Sequence, residues 1–289
     1  MDYQGNIFRP PSEANSILLQ VTRGCSHNKC TFCELYKGTR FALKDEATIE
    51  SDLEFARTYC RRQNRLFLCD GDALILPQKR LVALLTAIRD RLPWVTRIGT
   101  YANTRSIRSK TPEQLEELRD LGLAIAYMGL ESGDDVTLQA IIKGADSAQM
   151  IQAGRKVRAA GIQLSITVLL GIAQERRSAI HAAETGRVLS AIDPEFVGVL
   201  SLMLLPGTPL YTAWREGRFV LPSPDGMLAE LRRMLAATNL SDGYFHANHA
   251  SNYLPIKAHL PHDKARTLNL IDQALQGNIG LKPEYMRGL

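Results

Sequence analysis

The sequence predicts an α/β fold: a partial (β/α)6 barrel of parallel strands, followed by a small, mainly helical C-terminal extension. Three observations predict it. Short apolar runs alternate with longer amphipathic stretches across roughly residues 16–217. The runs are continuously apolar, as strands are when helices cover both faces of a parallel sheet. Six such units span this region, a count that fits an open or partly closed β/α barrel with right-handed crossovers.

The apolar runs are 16–21, 65–69, 97–101, 123–129, 162–169 and 196–204. Helix-like stretches lie between them near 47–61, 78–91, 112–121, 148–160 and 177–191. The third helix has clear start chemistry: Thr111 as N-cap, Pro112 at the first position and Gln114 placed for a capping box. The fourth ends at Gly161, a C-terminal cap, and the next strand begins at once. Beyond Phe219 the pattern changes to a helix near 227–237, an irregular stretch 239–261 and a last helix near 263–275. Residues 1–217 read as the barrel core. Residues 218–289 read as an extension packed on it, on the substrate side. In such sheets the chemistry gathers at the C-terminal ends of the strands.

Composition narrows the class. Of 289 residues 45% are hydrophobic and 22% charged, the balance of a folded chain rather than a disordered one. The formal net charge of +5 tolerates an anionic substrate. It does not point to nucleic acid, because the basic residues are scattered. The nearest cluster, Arg105, Arg108 and Lys110, fits a solvated loop better than an anion site. No apolar stretch is long enough to span a bilayer, and no signal peptide is visible at the N-terminus. These features lead to the expectation of a cytoplasmic protein acting on a small molecule.

Three of the five cysteines lie within nine residues. The odd count and tight spacing argue for a metal site in a reducing compartment, not a disulfide framework. The loop Cys25-Ser26-His27-Asn28-Lys29-Cys30-Thr31-Phe32-Cys33 follows directly after the first strand. Its thiolates suit an iron–sulfur cluster or zinc. A four-iron cluster normally takes four cysteines, so three would leave one iron open for a ligand. Zinc bound by the three cysteines and His27 is an alternative. So is closure of the cluster by Cys60 or Cys69, although both also suit packing roles.

At these residues the chain resembles the radical S-adenosylmethionine (SAM) superfamily, in the branch of oxygen-independent coproporphyrinogen oxidase and the methylthiotransferases. The resemblance covers roughly residues 14–217. It departs from the family at one point: the spacing is C-x4-C-x2-C, where the family has C-x3-C-x2-C. The resemblance implies a [4Fe–4S] cluster on Cys25, Cys30 and Cys33, with SAM on the open iron and Phe32 beside the adenine. Asp70-Gly71-Asp72 stands where the family has Gly-Gly-Glu, at the methionine end of SAM. Bottom-up, Gly71 allows close backbone approach and a carboxylate there can accept from an ammonium; turn formation is the competing role for both aspartates. Glu131 or Ser132 would meet the ribose, although Gly133-Asp134-Asp135 can equally begin a helix. Arg155, rather than Lys156 or Arg158, would meet the SAM carboxylate. The strand through Leu169 would back the adenine, and Leu205–Tyr211 also resembles that branch. A reductant such as flavodoxin or ferredoxin is implied.

The substrate is not legible. Candidates to orient it are Tyr36, Arg40, Tyr101, Asn103 and Arg105, with His246, Asn248, His249, Asn252 and Tyr253 from the extension. The implied activity is reductive cleavage of SAM, then hydrogen abstraction from a small polar or anionic substrate. A non-catalytic iron–sulfur or zinc protein is the alternative from another class, and a methyl transferase that consumes SAM ranks lower.

Overall fold

A computed structural model describes residues 1–288. Its elements in chain order are β1 (Ile17–Gln20), β2 (Thr22–Arg23), β3 (Ala42–Leu43), α1 (Glu46–Tyr59), β4 (Arg65–Cys69), α2 (Gln78–Arg91) and β5 (Arg97–Tyr101). Then come α3 (Thr104–Arg108), α4 (Pro112–Asp120), β6 (Leu123–Glu131), α5 (Asp135–Ala140), α6 (Ser147–Ala159), β7 (Gln163–Leu170) and α7 (Gln174–Ile192). The last are β8 (Phe196–Ser201), α8 (Pro209–Arg215), α9 (Pro224–Ala237), β9 (Gly243–His246), β10 (Lys257–Leu260) and α10 (Lys264–Leu275). The fold class is the predicted one: α/β, with mostly parallel strands. β1 pairs only with β4, and β10 only with β9, among the described residues, so the ladders end in edges and no closed barrel forms.

The chain divides into two compact units. The first comprises Met1–Asn28, Leu35–Met128 and Lys156–Leu164. In it β1, β4, β5 and β6 pair in that order, all parallel. Leu66, Leu68, Ile98 and Ile125 are almost fully buried there, the continuous apolar character that identified these runs. The residues on either side of the cysteine loop pair as β2 with β3, antiparallel, Thr22 opposite Leu43 and Arg23 opposite Ala42. This two-residue ladder forms a neck from which the loop emerges.

The second unit comprises Lys29–Glu34, Gly129–Arg155 and the chain from Ser165 onward. Here β7, β8 and β9 are parallel and β10 returns antiparallel. The stretch expected to be irregular, 239–261, therefore supplies two strands, and the extension is not purely helical. Its period of two is present: Gly243, Phe245 and Ala247 are buried while Tyr244 faces out. α7 and α9 pack tightly, because a Cβ on Gly186 would lie 2.5 Å from Ala237 Cβ. Helix starts follow the sequence chemistry. Thr111 accepts from the Gln114 amide in a full capping box, and Gly161 takes φ +76° after α6.

Candidate active site

In the first unit Cys25 lies just past the neck, at the C-terminal end of β1. Gly24 takes φ +76°, and a Cβ there would come to 3.3 Å of Thr39 Cγ2, so the loop can cross its own base only at a glycine. Asn28 is left-handed at φ 42°, a conformation asparagine tolerates, and its Nδ2 donates to Tyr36 O at 2.8 Å. That turn takes up chain between Cys25 and Cys30, where the spacing is one residue longer than in the related motif.

The residues after β4 support this loop. A Cβ on Gly71 would stand 2.8 Å from Tyr36 Cε2 and 3.2 Å from Cys25 Cβ, so glycine is required for the close approach. The two flanking carboxylates are buried and hydrogen-bonded within the fold. Asp70 is 1% exposed and accepts from Gln20 Nε2 at 3.0 Å and from the Tyr36 hydroxyl at 3.1 Å. Asp72 has no exposure and accepts from Ser26 Oγ at 2.5 Å, Asn103 Nδ2 at 2.6 Å and Asn103 N at 3.3 Å. Burial pushes both carboxyls above the ordinary range, and these hydrogen bonds pull back. Asp72 thus ties the residue after Cys25 to the end of β5. Gly71 itself is partly exposed.

Three substrate candidates in this unit also have structural partners. Tyr36 is buried edge-on to Phe8, and burial, with Asp70 next, pushes its hydroxyl pKa up. Asn103 caps α3 and holds Asp72 and Ser26. Tyr101 packs edge-on to Phe67 and Tyr127. Arg40 and Arg105 are exposed. In the basic cluster Lys110 is buried and donates to Leu76 O at 2.6 Å, so it is a packing cation.

In the second unit the segment 29–34 carries Cys30, Phe32 and Cys33. It is pinned at Thr31, whose amide donates to Ile141 O and whose carbonyl accepts from Leu210 N, both at 3.0 Å. The Pro-Gly-Thr-Pro turn that opens α8 therefore serves to hold the cysteine segment. Thr31 Oγ1 is buried with no hydrogen-bond partner. Cys30, Phe32 and Cys33 are partly exposed.

The end of β6 is sharply shaped. Glu131 takes φ 62°, is 8% exposed and pairs with Lys143 Nζ at 2.9 Å. A side chain on Gly129 would collide with this carboxylate, so glycine lets Glu131 fold back along its own strand. Ser132 is fully buried, with Oγ 2.7 Å from His181 Nδ1. Asp134 caps α5, as the alternative reading of this turn allowed, and accepts Nε and Nη2 of Arg177 at 2.8 Å each. Burial opposes its ionisation, but Arg177 and Thr137 hold its pKa down to about 2. Arg155 lies on α6. It donates to Ala191 O at 2.7 Å in the last turn of α7, which leads into the N-terminal end of β8. Helix C-terminal carbonyls attract cations, and this end is remote from strand C-termini.

One face of this unit's sheet is accessible. In register across it, Ser165, Phe196, Tyr244 and His259 form one row, Thr167, Gly198, His246 and Lys257 the next, and Leu169 pairs with Leu200 toward the strand ends. Tyr244 is 44% exposed and stacks on Phe196 and His259, with ring centroids 5.8 and 4.6 Å away. A Cβ on Gly198 would meet only Ile166 O, at 3.9 Å, so open space lies above it. Burial, and then Lys257, lower the His246 pKa. The opposite face carries Val197, Val199, Phe245 and Ala258, all buried.

The remaining extension candidates divide. Asn248 is exposed, and His249 Nδ1 lies 2.9 Å from Ser251 Oγ. Asn252 is 2% exposed, donates to Val199 O at 2.7 Å and accepts from Ser201 Oγ at 2.9 Å, so it completes the edge of β8. Tyr253 donates to Glu284 at 2.6 Å beneath the Arg287 guanidinium, 4.1 Å from its ring. Asn252 and Tyr253 thus each have partners within the fold. The sequence reading missed Thr31, Lys143, Thr167, Gly198, His181 and Glu230. Only Gly198 carried a signal, as a glycine inside an apolar strand.

The cysteines fit a cluster. None of the five forms a disulfide. The three in the loop are soft donors, and an orphaned hydroxyl sits between two of them. No three His, Cys, Asp or Glu side chains among the described residues converge on one metal ion. A cubane is held at separate corners, so its thiolates need not converge on a point.

Comparison with known proteins agrees in kind. The model of the Radical SAM superfamily matches residues 19–183. A curated relative, hopanoid C-2 methylase of Rhodopseudomonas palustris (strain TIE-1), is 26% identical over 215 residues, covering 70% of this chain. The chain spans only 38% of that relative. Among solved structures, coproporphyrinogen III oxidase from Escherichia coli matches with TM-score 0.56 and 17% identity, over 76% of this chain and 51% of its own. Methylornithine synthase matches with TM-score 0.53 and 18% identity, over 78% and 63%. The methyltransferase TsrM from Kitasatospora setae matches with TM-score 0.54 and 18% identity, over 69% and 39%. At these identities the solved structures show the shared fold.

Proposed function

The chain belongs to the radical SAM superfamily, and from that premise we propose that it takes a hydrogen atom from a small polar or anionic substrate. It is an enzyme, and its cofactors are a [4Fe–4S] cluster and SAM. Bound together, they supply one-electron cleavage of the sulfonium and a carbon radical that can abstract hydrogen. The protein's part is to bind, orient and exclude water.

Cys25, Cys30 and Cys33 hold the cluster in this reading. The observation that carries it is the anchored cysteine loop: Gly71 and the Asp72–Ser26 bond seat Cys25, and Thr31 fixes the segment of Cys30 and Cys33. Gly71 offers backbone to the methionine end of SAM, Glu131 reaches the ribose, and Phe32 and Leu169 flank the adenine. The substrate rests on the accessible sheet face, with Thr167 and His246 on either side of Gly198. Lys257 supplies charge for an anionic group. Residues 1–217 act as the catalytic core and 218–289 as the extension. No helix among the described residues is long and apolar enough to cross a membrane. We place the enzyme in the cytoplasm, reduced by a flavodoxin or ferredoxin.

The test is anaerobic reconstitution with iron and sulfide, then dithionite and SAM. The wild-type chain should give the broad visible absorption of a cluster and release 5′-deoxyadenosine and methionine. Cys30→Ala and Cys33→Ala should lose both. A cluster-loaded, reduced wild type that leaves SAM intact would refute the reading.

A further inference from the structure

Beneath the C-terminal ends of β6 and β7 lies a polar network that the reading above does not use. His181, on α7, has no exposure; its Nδ1 is 2.7 Å from Ser132 Oγ and its Nε2 3.3 Å from Glu230 Oε1. The second approach is not a well-aligned hydrogen bond. Glu230, on α9, is 2% exposed. It accepts from the Gly171 amide at 2.7 Å, just past β7, and from the Ser178 hydroxyl. Ser132 Oγ also accepts from Asp134 N at 3.0 Å, and Gly133 N donates to Thr185 Oγ1 at 2.8 Å. Gly171 takes φ +81°, and a Cβ there would stand 2.8 Å from Met227 Cε. Both strand ends are thus drawn down onto α7 and α9.

Glu230 has no Lys or Arg partner among the described residues; its only ionisable partner is His181. A buried carboxylate loses its hydration and is a poor device for stability alone, since well-packed apolar groups often replace such charges at no loss. This carboxylate holds the loop after β7 through the Gly171 amide and holds α7 through the Ser178 hydroxyl, one turn from His181, which in turn meets Ser132 at the end of β6.

We propose that Glu230 is a positioning residue for SAM: it belongs to the C-terminal extension, yet it sets the two strand ends that carry Glu131 and Leu169. The proposal rests on the reading that those strand ends bind the adenosine of SAM. It gives the extension a part in cofactor binding as well as in substrate binding.

The experiment uses the full chain carrying its cluster. SAM binding is measured by equilibrium dialysis, with iron content and Tm recorded in parallel. Glu230→Gln keeps the side chain's shape and removes its charge. It should weaken SAM binding about tenfold, the loss expected for charge-assisted hydrogen bonds, with iron content unchanged. Ser132→Ala cuts one arm of the network but keeps the carboxylate, and should weaken binding in the same direction. It also serves if Glu230→Gln does not fold. A lowered Tm with unchanged SAM affinity in either variant would make the network mere packing and overturn the proposal. A wild-type chain that holds its cluster yet binds no SAM would overturn the functional reading first, and this proposal with it.

Discussion

In the first unit the sheet face that carries Phe67, Tyr101 and Tyr127 is filled from within the chain. Glu13, 1% exposed, accepts from Arg97 at 2.8 Å, from Ser16 at 2.6 Å and from the Tyr127 hydroxyl, and Ser12 lies 2.9 Å from that same hydroxyl. In the second unit the face that carries Phe196, Tyr244 and His259 has aromatic groups of the same kind but remains accessible. The first arrangement surrounds a buried carboxylate with donors from its own chain. The second leaves a glycine gap between a hydroxyl and an imidazole. Aromatic content does not distinguish a core from a binding surface; what distinguishes them is whether the chain supplies its own cover.

Matched substitutions can break that contrast. Phe67→Ala on the sealed face should cost about 3–5 kcal/mol in denaturant unfolding, the range for a fully buried aromatic. Glu13→Ala should cost about 1–3 kcal/mol, because it removes the acceptor shared by Arg97, Ser16 and the Tyr127 hydroxyl. A loss under about 1 kcal/mol would mean that the seal is not energetic. Gly71→Ala should cost about 1–3 kcal/mol through overpacking against Tyr36, and iron retention after gel filtration should fall with it. Tyr244→Ala on the accessible face should cost no more than about 1.5 kcal/mol, the scale of a stacked aromatic pair. A cost equal to that of Phe67→Ala would show that this face is core.

The smallest effect is a pH dependence. The folded pKa of His246 lies below the ordinary 6.5. The unfolded chain therefore takes up this proton first, and stability falls as pH drops below 6.5. His249, lowered by burial and then by Lys282, acts in the same direction. In His246→Asn the decline measured by urea unfolding between pH 7 and 5 should be shallower, by His246's share. An identical slope would remove His246 from the account.

The sequence made legible what local chemistry determines. The six apolar runs are strands, the Thr111–Gln114 box and Gly161 cap their helices, and the loop after β1 bears the cysteines. It did not reveal β9, because Tyr244 and His246 occupy the accessible positions where polar residues would make the alternation visible. Nor did it separate buried from available polar groups. Asp70, Asp72, Ser132 and Asn252 have the composition of a site, yet their long-range partners lie 31 to 53 residues away. Arg155 was a plausible cation whose end of the helix only the fold decides.

The seal over the first unit joins Glu13 to Tyr127, 114 residues apart along the chain. Contacts so distant form only after a large loop-closure entropy has been overcome, so they belong to the late stages of folding. The neck between β2 and β3 closes a far shorter loop. The expected order is that the cysteine loop gains its base before the N-terminal segment docks. Stopped-flow kinetics of Glu13→Ala would test this order: a late Glu13–Tyr127 contact predicts faster unfolding with the folding rate nearly unchanged, and a slowed folding rate would place the contact early.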